Sequence, residues 1–333
     1  MPGGGWDDPN LFGYKSDARI FQVLPYQPSA IRNKVMNSLM TLVEQIATQH
    51  NADVFYYAGP ISREGYDLIT QCCVAHVPKK NACLFLATYG GDADAAYRIA
   101  RALRHNYEKL HIFIPRECKS AGTLLLIGAT SLIISDRGEL GPLDVQLSKP
   151  DEIFERSSGL DIMQSLRVLR EETLSFFTRY LIDIKVGSGI TARTAAEIAC
   201  KLTVGVFSPI YAHIDPLTLG EVQRAIAIAY EYGERLDNYD HNLKPDALAR
   251  LVTGYPSHGF VVDRKEARDL FVNVRATEPN EEQFGEMLYQ HAQPGRDIPW
   301  VSNLTIALQS EINHTEDENE QTQCTNPKTD SSS

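Results

Sequence analysis

The chain has 333 residues, ample for one large domain or two smaller ones. It is 43% hydrophobic and 23% charged, which excludes wholesale disorder and a membrane bundle as the default class. A formal net charge of −11 argues against a nucleic-acid partner, because phosphate binding needs a Lys/Arg-rich face.

No run approaches the ~20 apolar residues of a membrane span, so no span is expected. The N-terminus has no basic region followed by an apolar core, and a cytoplasmic location is expected. The six cysteines are scattered, with Cys72 and Cys73 adjacent. None has zinc spacing, so reduced thiols and no metal or other cofactor are expected. The sequons at Asn303 and Asn313 are read as chance matches. Residues 1–20 are rich in Gly, Pro and Asp and read as a loose arm. Residues 311–333 read as a disordered acidic and polar tail.

Between these ends, residues 21–150 alternate helix and strand signals. Ile31–Gln49 reads as a helix with Val35, Leu39, Leu42, Val43 and Ile46 on one face. Asp53–Tyr57 is a β-branched and aromatic run ending at Gly59-Pro60, and reads as a buried strand. Glu64–His76 follows as a helix, then Ala82–Thr88 as a strand closed by Gly90-Gly91. Ala93–His105 reads as a helix, His111–Ile114 as a strand stopped by Pro115, Ser120–Ala129 as an apolar helix, and Leu132–Ile134 as a strand. Such alternation with apolar strands predicts an α/β fold, a parallel sheet covered by helices.

Residues 151–310 read as mainly helical, either a continuation of the same domain or a cap. The segments are Asp161–Ile184, Thr191–Lys201, Leu217–Leu236, Lys244–Val252 and Asp263–Leu270. Asp263 with Glu266 three positions later resembles a capping box.

Two features fall just past the carboxyl ends of strands, where an α/β sheet places its active site. One is Thr88-Tyr89-Gly90-Gly91-Asp92-Ala93. The other is Lys119-Ser120-Ala121-Gly122-Thr123. A serine at the start of a helix has unpaired amides beside it, able to hold the oxyanion of a tetrahedral intermediate. A Gly-Gly turn lets a neighbouring backbone approach the same oxygen with no Cβ in the way. Ser120 would attack, with Ala121 and either Gly90 or Gly91 forming the oxyanion hole. The competing reading makes Ser120 an ordinary helix N-cap and Gly90-Gly91 an ordinary turn.

The general base must reach the Ser120 hydroxyl, and a carboxylate should orient it. His258, in a turn-rich loop, ranks first, and His213, between Pro209 and Pro216, ranks second. For the carboxylate, Asp144 ranks before Asp215. Asp92 and Asp94, in the first turn of a helix, read as structural. Lys119 is adjacent to Ser120 and therefore badly placed as its base. Lys149 and Lys185 have no local support. Cys118 reads as a buried thiol. The chain has no phosphate-loop motif for ATP.

The run Tyr89–Ala96 resembles the "PGG" turn and helix of Clp-type proteases, and Lys119–Leu126 resembles their serine-bearing helix. Gly141–Gln146 is similar to the "GPID" segment of signal-peptide-peptidase-type relatives. Together with Tyr211–Pro216 and Tyr255–Asp263, the ordered set resembles the serine dehydrogenase proteinase family from about Asp53 to Phe271. The resemblance implies a Clp/crotonase-like core, a serine peptidase acting on a peptide or protein, a homo-oligomer, and a triad in the chain order Ser, Asp, His. The Clp histidine position falls close to Asp144 here, so the Clp triad does not transfer directly. Two rival functions share the fold: a crotonase-type acyl-CoA hydratase, isomerase or hydrolase, and a non-catalytic oligomeric scaffold.

Overall fold

The computed structural model describes residues 29–74, 79–143, 146–148, 156–290 and 292–307. The expected arm at 1–20 and tail at 311–333 lie outside the described residues, as do Asp144 and Lys149. In chain order the elements are α1 (Ser29–Gln49), β1 (Ala52–Ala58), α2 (Arg63–Val74), β2 (Asn81–Ala87), α3 (Ala93–Asn106), β3 (Lys109–Ile114), β4 (Glu117–Cys118), α4 (Ala121–Ile127), β5 (Ser131–Ile134) and β6 (Glu139–Leu140). They continue as β7 (Gln146–Ser148), β8 (Arg156–Ser158), α5 (Gly159–Ser188), α6 (Ala192–Tyr211), α7 (Pro216–Asp237), α8 (Ala247–Ala249), α9 (Arg264–Leu270), β9 (Val274–Ala276), α10 (Pro279–Tyr289) and β10 (Trp300–Asn303).

Six strands form one sheet in the order β10-β1-β2-β3-β5-β9. Neighbours from β1 to β9 run parallel, and β10 closes the other edge antiparallel to β1. This is the α/β architecture the alternation predicts. Every residue of β1 is buried, as a strand covered on both faces requires. One face is aromatic: Phe85 of β2 stacks on Phe113 of β3 at 4.2 Å, and Phe284 of α10 meets Phe85 edge-on at 4.4 Å. The buried carboxylate of Asp53 accepts from the Tyr107 hydroxyl at 2.9 Å and the Lys79 amide at 3.0 Å, which compensates its loss of water.

The chain divides into two compact units. The first takes everything up to Leu140, Gly233–Ala247, and Val261 onward, and holds the six-stranded sheet. The second comprises Gly141–Tyr232 and Leu248–Phe260. In it α5 packs on α6, with Phe176 edge-on to Phe207 at 5.4 Å, and β7 pairs antiparallel with β8. Thr191 caps α6 by accepting from the Thr194 amide at 3.2 Å.

Several local outcomes differ from the sequence reading. The expected helix over 244–252 is a short α8 followed by a π-helical turn at Arg250–Gly254. Asp246 has φ +62°, which no helical residue adopts, so the helix cannot begin before it. α6 runs on to Tyr211 with Pro209 inside its last turn. The stretch after residue 260 also supplies both edge strands of the sheet, β9 and β10. Asp263 caps α9 as expected, accepting from the Glu266 amide at 2.8 Å.

Candidate active site

Three successive strand ends meet at the carboxyl edge of the sheet in the first unit. After β1, the Ile61 amide donates to Gly90 O and Ile61 O accepts from the Asp92 amide, both at 2.9 Å. After β2, the Thr88 amide donates to Glu117 O at 2.9 Å, and the Lys119 amide donates to Thr88 O at the same distance. The Gly-Gly turn is thereby sewn to the β1 end on one side and to the approach to Ser120 on the other. Ser120 and Ala121 lie on the turn beside Gly90 and Gly91.

Ser120 has φ 50° and ψ −118°. These are the angles of the first central residue of a type II′ turn, a place glycine normally takes. The turn is closed by the Gly122 amide donating to Lys119 O at 2.8 Å. An ordinary N-cap has extended angles and a side chain bonded to the next amides. Asp92 does this for α3, with φ −75°, ψ 117° and its carboxylate accepting from the Asp94 amide at 2.8 Å. Ser120 has neither property, and its side chain makes no capping hydrogen bond. It is a β-carbon residue held on a sharp, strained strand-to-helix turn.

The space around it demands glycine. A methyl group at Gly90 would lie 2.7 Å from Ser120 Cβ and 3.2 Å from its Oγ. One at Gly91 would lie 2.2 Å from Ile61 O, and one at Gly122 would lie 2.5 Å from Thr88 Cγ2. Gly90 and Gly91 also have φ +109° and +147°. The Gly90 amide donates to Thr88 Oγ1 at 3.0 Å. The amides of Gly91 and Ala121 make no hydrogen bond among the described residues. α4 has only seven residues, so its contribution here is the Ala121 amide rather than a macrodipole.

The flanking charges are paired. Lys119, almost wholly buried, places Nζ 2.7 Å from Glu139 Oε1 and donates to Leu140 O at 3.3 Å. Burial pushes the Cys118 thiol far up, which leaves it protonated and inert. Glu117 accepts from the Tyr289 hydroxyl at 2.6 Å. Half-exposed Tyr89 has its phenol pushed up by partial burial and then by the Glu117 and Glu139 carboxylates.

The remaining candidates belong to the second unit. His258 is half-buried in a turn closed by the Phe260 amide donating to Ser257 O at 3.2 Å. His213 is exposed just past the end of α6. Asp215 caps α7, its carboxylate accepting from the Leu217 amide at 3.0 Å, the Thr218 amide at 3.2 Å and the Thr218 hydroxyl at 2.7 Å. The Thr218 hydroxyl and then these amides hold it below the ordinary carboxylate range. Lys185 is exposed and donates to Ile190 O at 2.7 Å. Among the described residues no group of three or more His, Cys, Asp or Glu is placed to hold a metal ion, and no helix is long and apolar enough to cross a membrane.

No protein-family model matches the chain. Over 154 residues it is 29% identical to the uncharacterized protein MJ1495 of Methanocaldococcus jannaschii, covering 42% of this chain and 49% of that protein. Over 66 residues it is 35% identical to the uncharacterized protein MJ0137 of the same organism, covering 20% and 23% respectively. The chain thus spans about half the length of the first of these relatives and about a quarter of the second. A solved mutant of the 1510-N membrane-bound stomatin-specific protease aligns over 69% of this chain and 99% of its own, at 17% identity. Its TM-score is 0.27, too low to carry a fold assignment.

Proposed function

We propose that the protein is a serine hydrolase acting on peptide bonds, with Ser120 as nucleophile. The observation that carries this reading is the backbone of Ser120, at φ 50° and ψ −118° without a capping bond. A structural serine gains nothing from that strain, whereas a nucleophile gains exposure of its Oγ. A crotonase-type acyl-CoA enzyme would use the same amides but needs no strained serine, and a scaffold needs neither.

In the proposed step Ser120 Oγ attacks the scissile carbonyl carbon. Its proton passes to His258, and the carbonyl oxygen becomes an oxyanion held by the Gly91 and Ala121 amides. Collapse breaks the C–N bond, and His258 returns the proton to the leaving amine. Gly90 serves by its lack of a side chain, since its own amide is committed to Thr88.

Chain connectivity supports His258 over His213. In the first unit Leu140 and Val262 form an antiparallel bridge, with N–H···O bonds of 2.9 and 3.0 Å, and Leu140 also pairs with Cys118. Asp144 lies four positions after Leu140 and His258 four positions before Val262. Four residues span at most roughly 14 Å, so the chain itself limits how far His258 can lie from Val262. His213 and Asp215 lie far along the chain from either end of the bridge, and Asp215 already caps a helix.

The protein is expected to cut a denatured protein into peptides with new amino termini. Ser120→Ala and His258→Ala should each lower the rate by at least about 1,000-fold, while His213→Ala keeps it. Cleavage undiminished in Ser120→Ala would overturn the reading. Self-association is also proposed: α5 and α6 expose Leu174, Val186, Leu202 and Val204, which a second copy could cover. Light scattering that gives the monomer mass of 37.2 kDa at micromolar concentration would reject it.

A further inference from the structure

We propose that Lys119 is a positioning residue, a buried latch that holds the chain crossing from which the segment bearing the base departs. This inference rests on the peptidase reading above and adds a residue that the proposed proton transfers leave unused.

A lysine is rarely buried without a specific task for its ammonium. Lys119 has 9% of its surface exposed and immediately precedes the nucleophile. Its Nζ holds Glu139 at 2.7 Å and Leu140 O at 3.3 Å. Those two residues are β6, which pairs in parallel with β4 just before Ser120. Leu140 is also the residue bridged to Val262.

The chain leaves the first unit after Leu140, returns to it for Gly233–Ala247, and re-enters it for the last time at Val261. The first and the last of the four crossings therefore adjoin one hydrogen-bonded pair, Leu140 with Val262, and Lys119 fastens that pair to the strand just before the nucleophile. The latch also keeps the half-buried Glu139 carboxylate compensated. Without the ammonium, β6 would be left with an unpaired carboxylate that favours swinging toward water. The bridge to Val262 would shift with it, and so would the root of the segment bearing His258. The other titratable groups around this strand are already engaged: Glu117 with Tyr289, and Arg116 with Glu286.

The test is the pH dependence of covalent labelling by a fluorophosphonate. Oγ attacks phosphorus, fluoride leaves, and the proton goes to the base. With a proton-accepting side chain as the base, the wild-type rate should rise through one midpoint and then level off. In Lys119→Met the rate at pH 7 should fall by about 10- to 100-fold, the loss typical of a catalytic group displaced by about an ångström. The midpoint should vanish, leaving a rate that keeps rising with hydroxide. A purely structural role would scale the whole profile by the folded fraction and leave its shape intact. If Lys119→Met lacks the native circular dichroism, Glu139→Ala decides instead, since it removes the ion pair of the latch from its more exposed end. Glu139→Gln, which keeps an acceptor for Nζ, should retain the midpoint. A wild-type-shaped profile in the folded latch variants overturns the inference. A wild-type protein that takes no label overturns the peptidase reading itself.

Discussion

Replacing Ser120 by glycine should stabilise the protein relative to replacing it by alanine. Both changes delete the hydroxyl, so the comparison isolates the backbone. A β-carbon at φ 50° and ψ −118° sits in a region that costs on the order of 1–3 kcal/mol. Alanine keeps that cost and glycine removes it. Glycine in turn adds about 0.5–1 kcal/mol of chain entropy to the unfolded state. The difference favours Ser120→Gly over Ser120→Ala by about 1 kcal/mol, a shift of roughly 2 °C in Tm. At an unstrained site the order is the reverse. Urea unfolding followed by the fluorescence of Trp300, buried in β10, measures it. If Ser120→Ala proves as stable as Ser120→Gly or more so, Ser120 is not strained and the reasoning from its backbone fails.

Gly91→Ala should cost at least about 2–4 kcal/mol, because its methyl would meet the immobile Ile61 O at 2.2 Å with φ at +147°; a neutral change in urea midpoint would contradict this. Acid should weaken the fold through His111, which burial and then neighbouring His50 hold at about 4 instead of 6.5. The unfolded chain takes that proton first, so the contribution is complete above pH 6.5 and is lost as the pH falls towards 4. After allowance for solvent screening the loss is about 1–2 kcal/mol, and His111→Phe should flatten the stability profile between those pH values. Glu281→Gln should destabilise by about 3–5 kcal/mol. Its fully buried carboxylate receives Arg275 through both guanidinium nitrogens at 2.6 and 2.8 Å and holds His50 Nε2 at 2.9 Å. A loss below about 1 kcal/mol would mean the network contributes little.

The four central strands were legible because apolar runs closed by Gly or Pro are a local signal. β9 and β10 were not, since three or four residues carry no periodicity and their pairing depends on partners far along the chain. The adjacency of the Ser120 and Gly90 turns followed from the order of parallel strands. The strain at Ser120 did not, because Lys-Ser-Ala-Gly reads equally well as an N-cap. Only the dihedral angles separate the two roles. Gly90 and Gly91 looked equivalent in sequence, and the Thr88 hydroxyl distinguishes them by occupying the Gly90 amide. The Lys119 latch was hidden too, because its partner Glu139 lies 20 positions away and is reached only through the β4–β6 pairing.

The most direct test of the central claim is the site of fluorophosphonate attachment, read by peptide mass mapping of the native protein. The account predicts a single adduct on Ser120, formed with loss of fluoride, absent in Ser120→Ala and abolished by unfolding the wild type first. Attachment at another residue, or no adduct on natively folded protein at pH 8, would contradict Ser120 as a nucleophile.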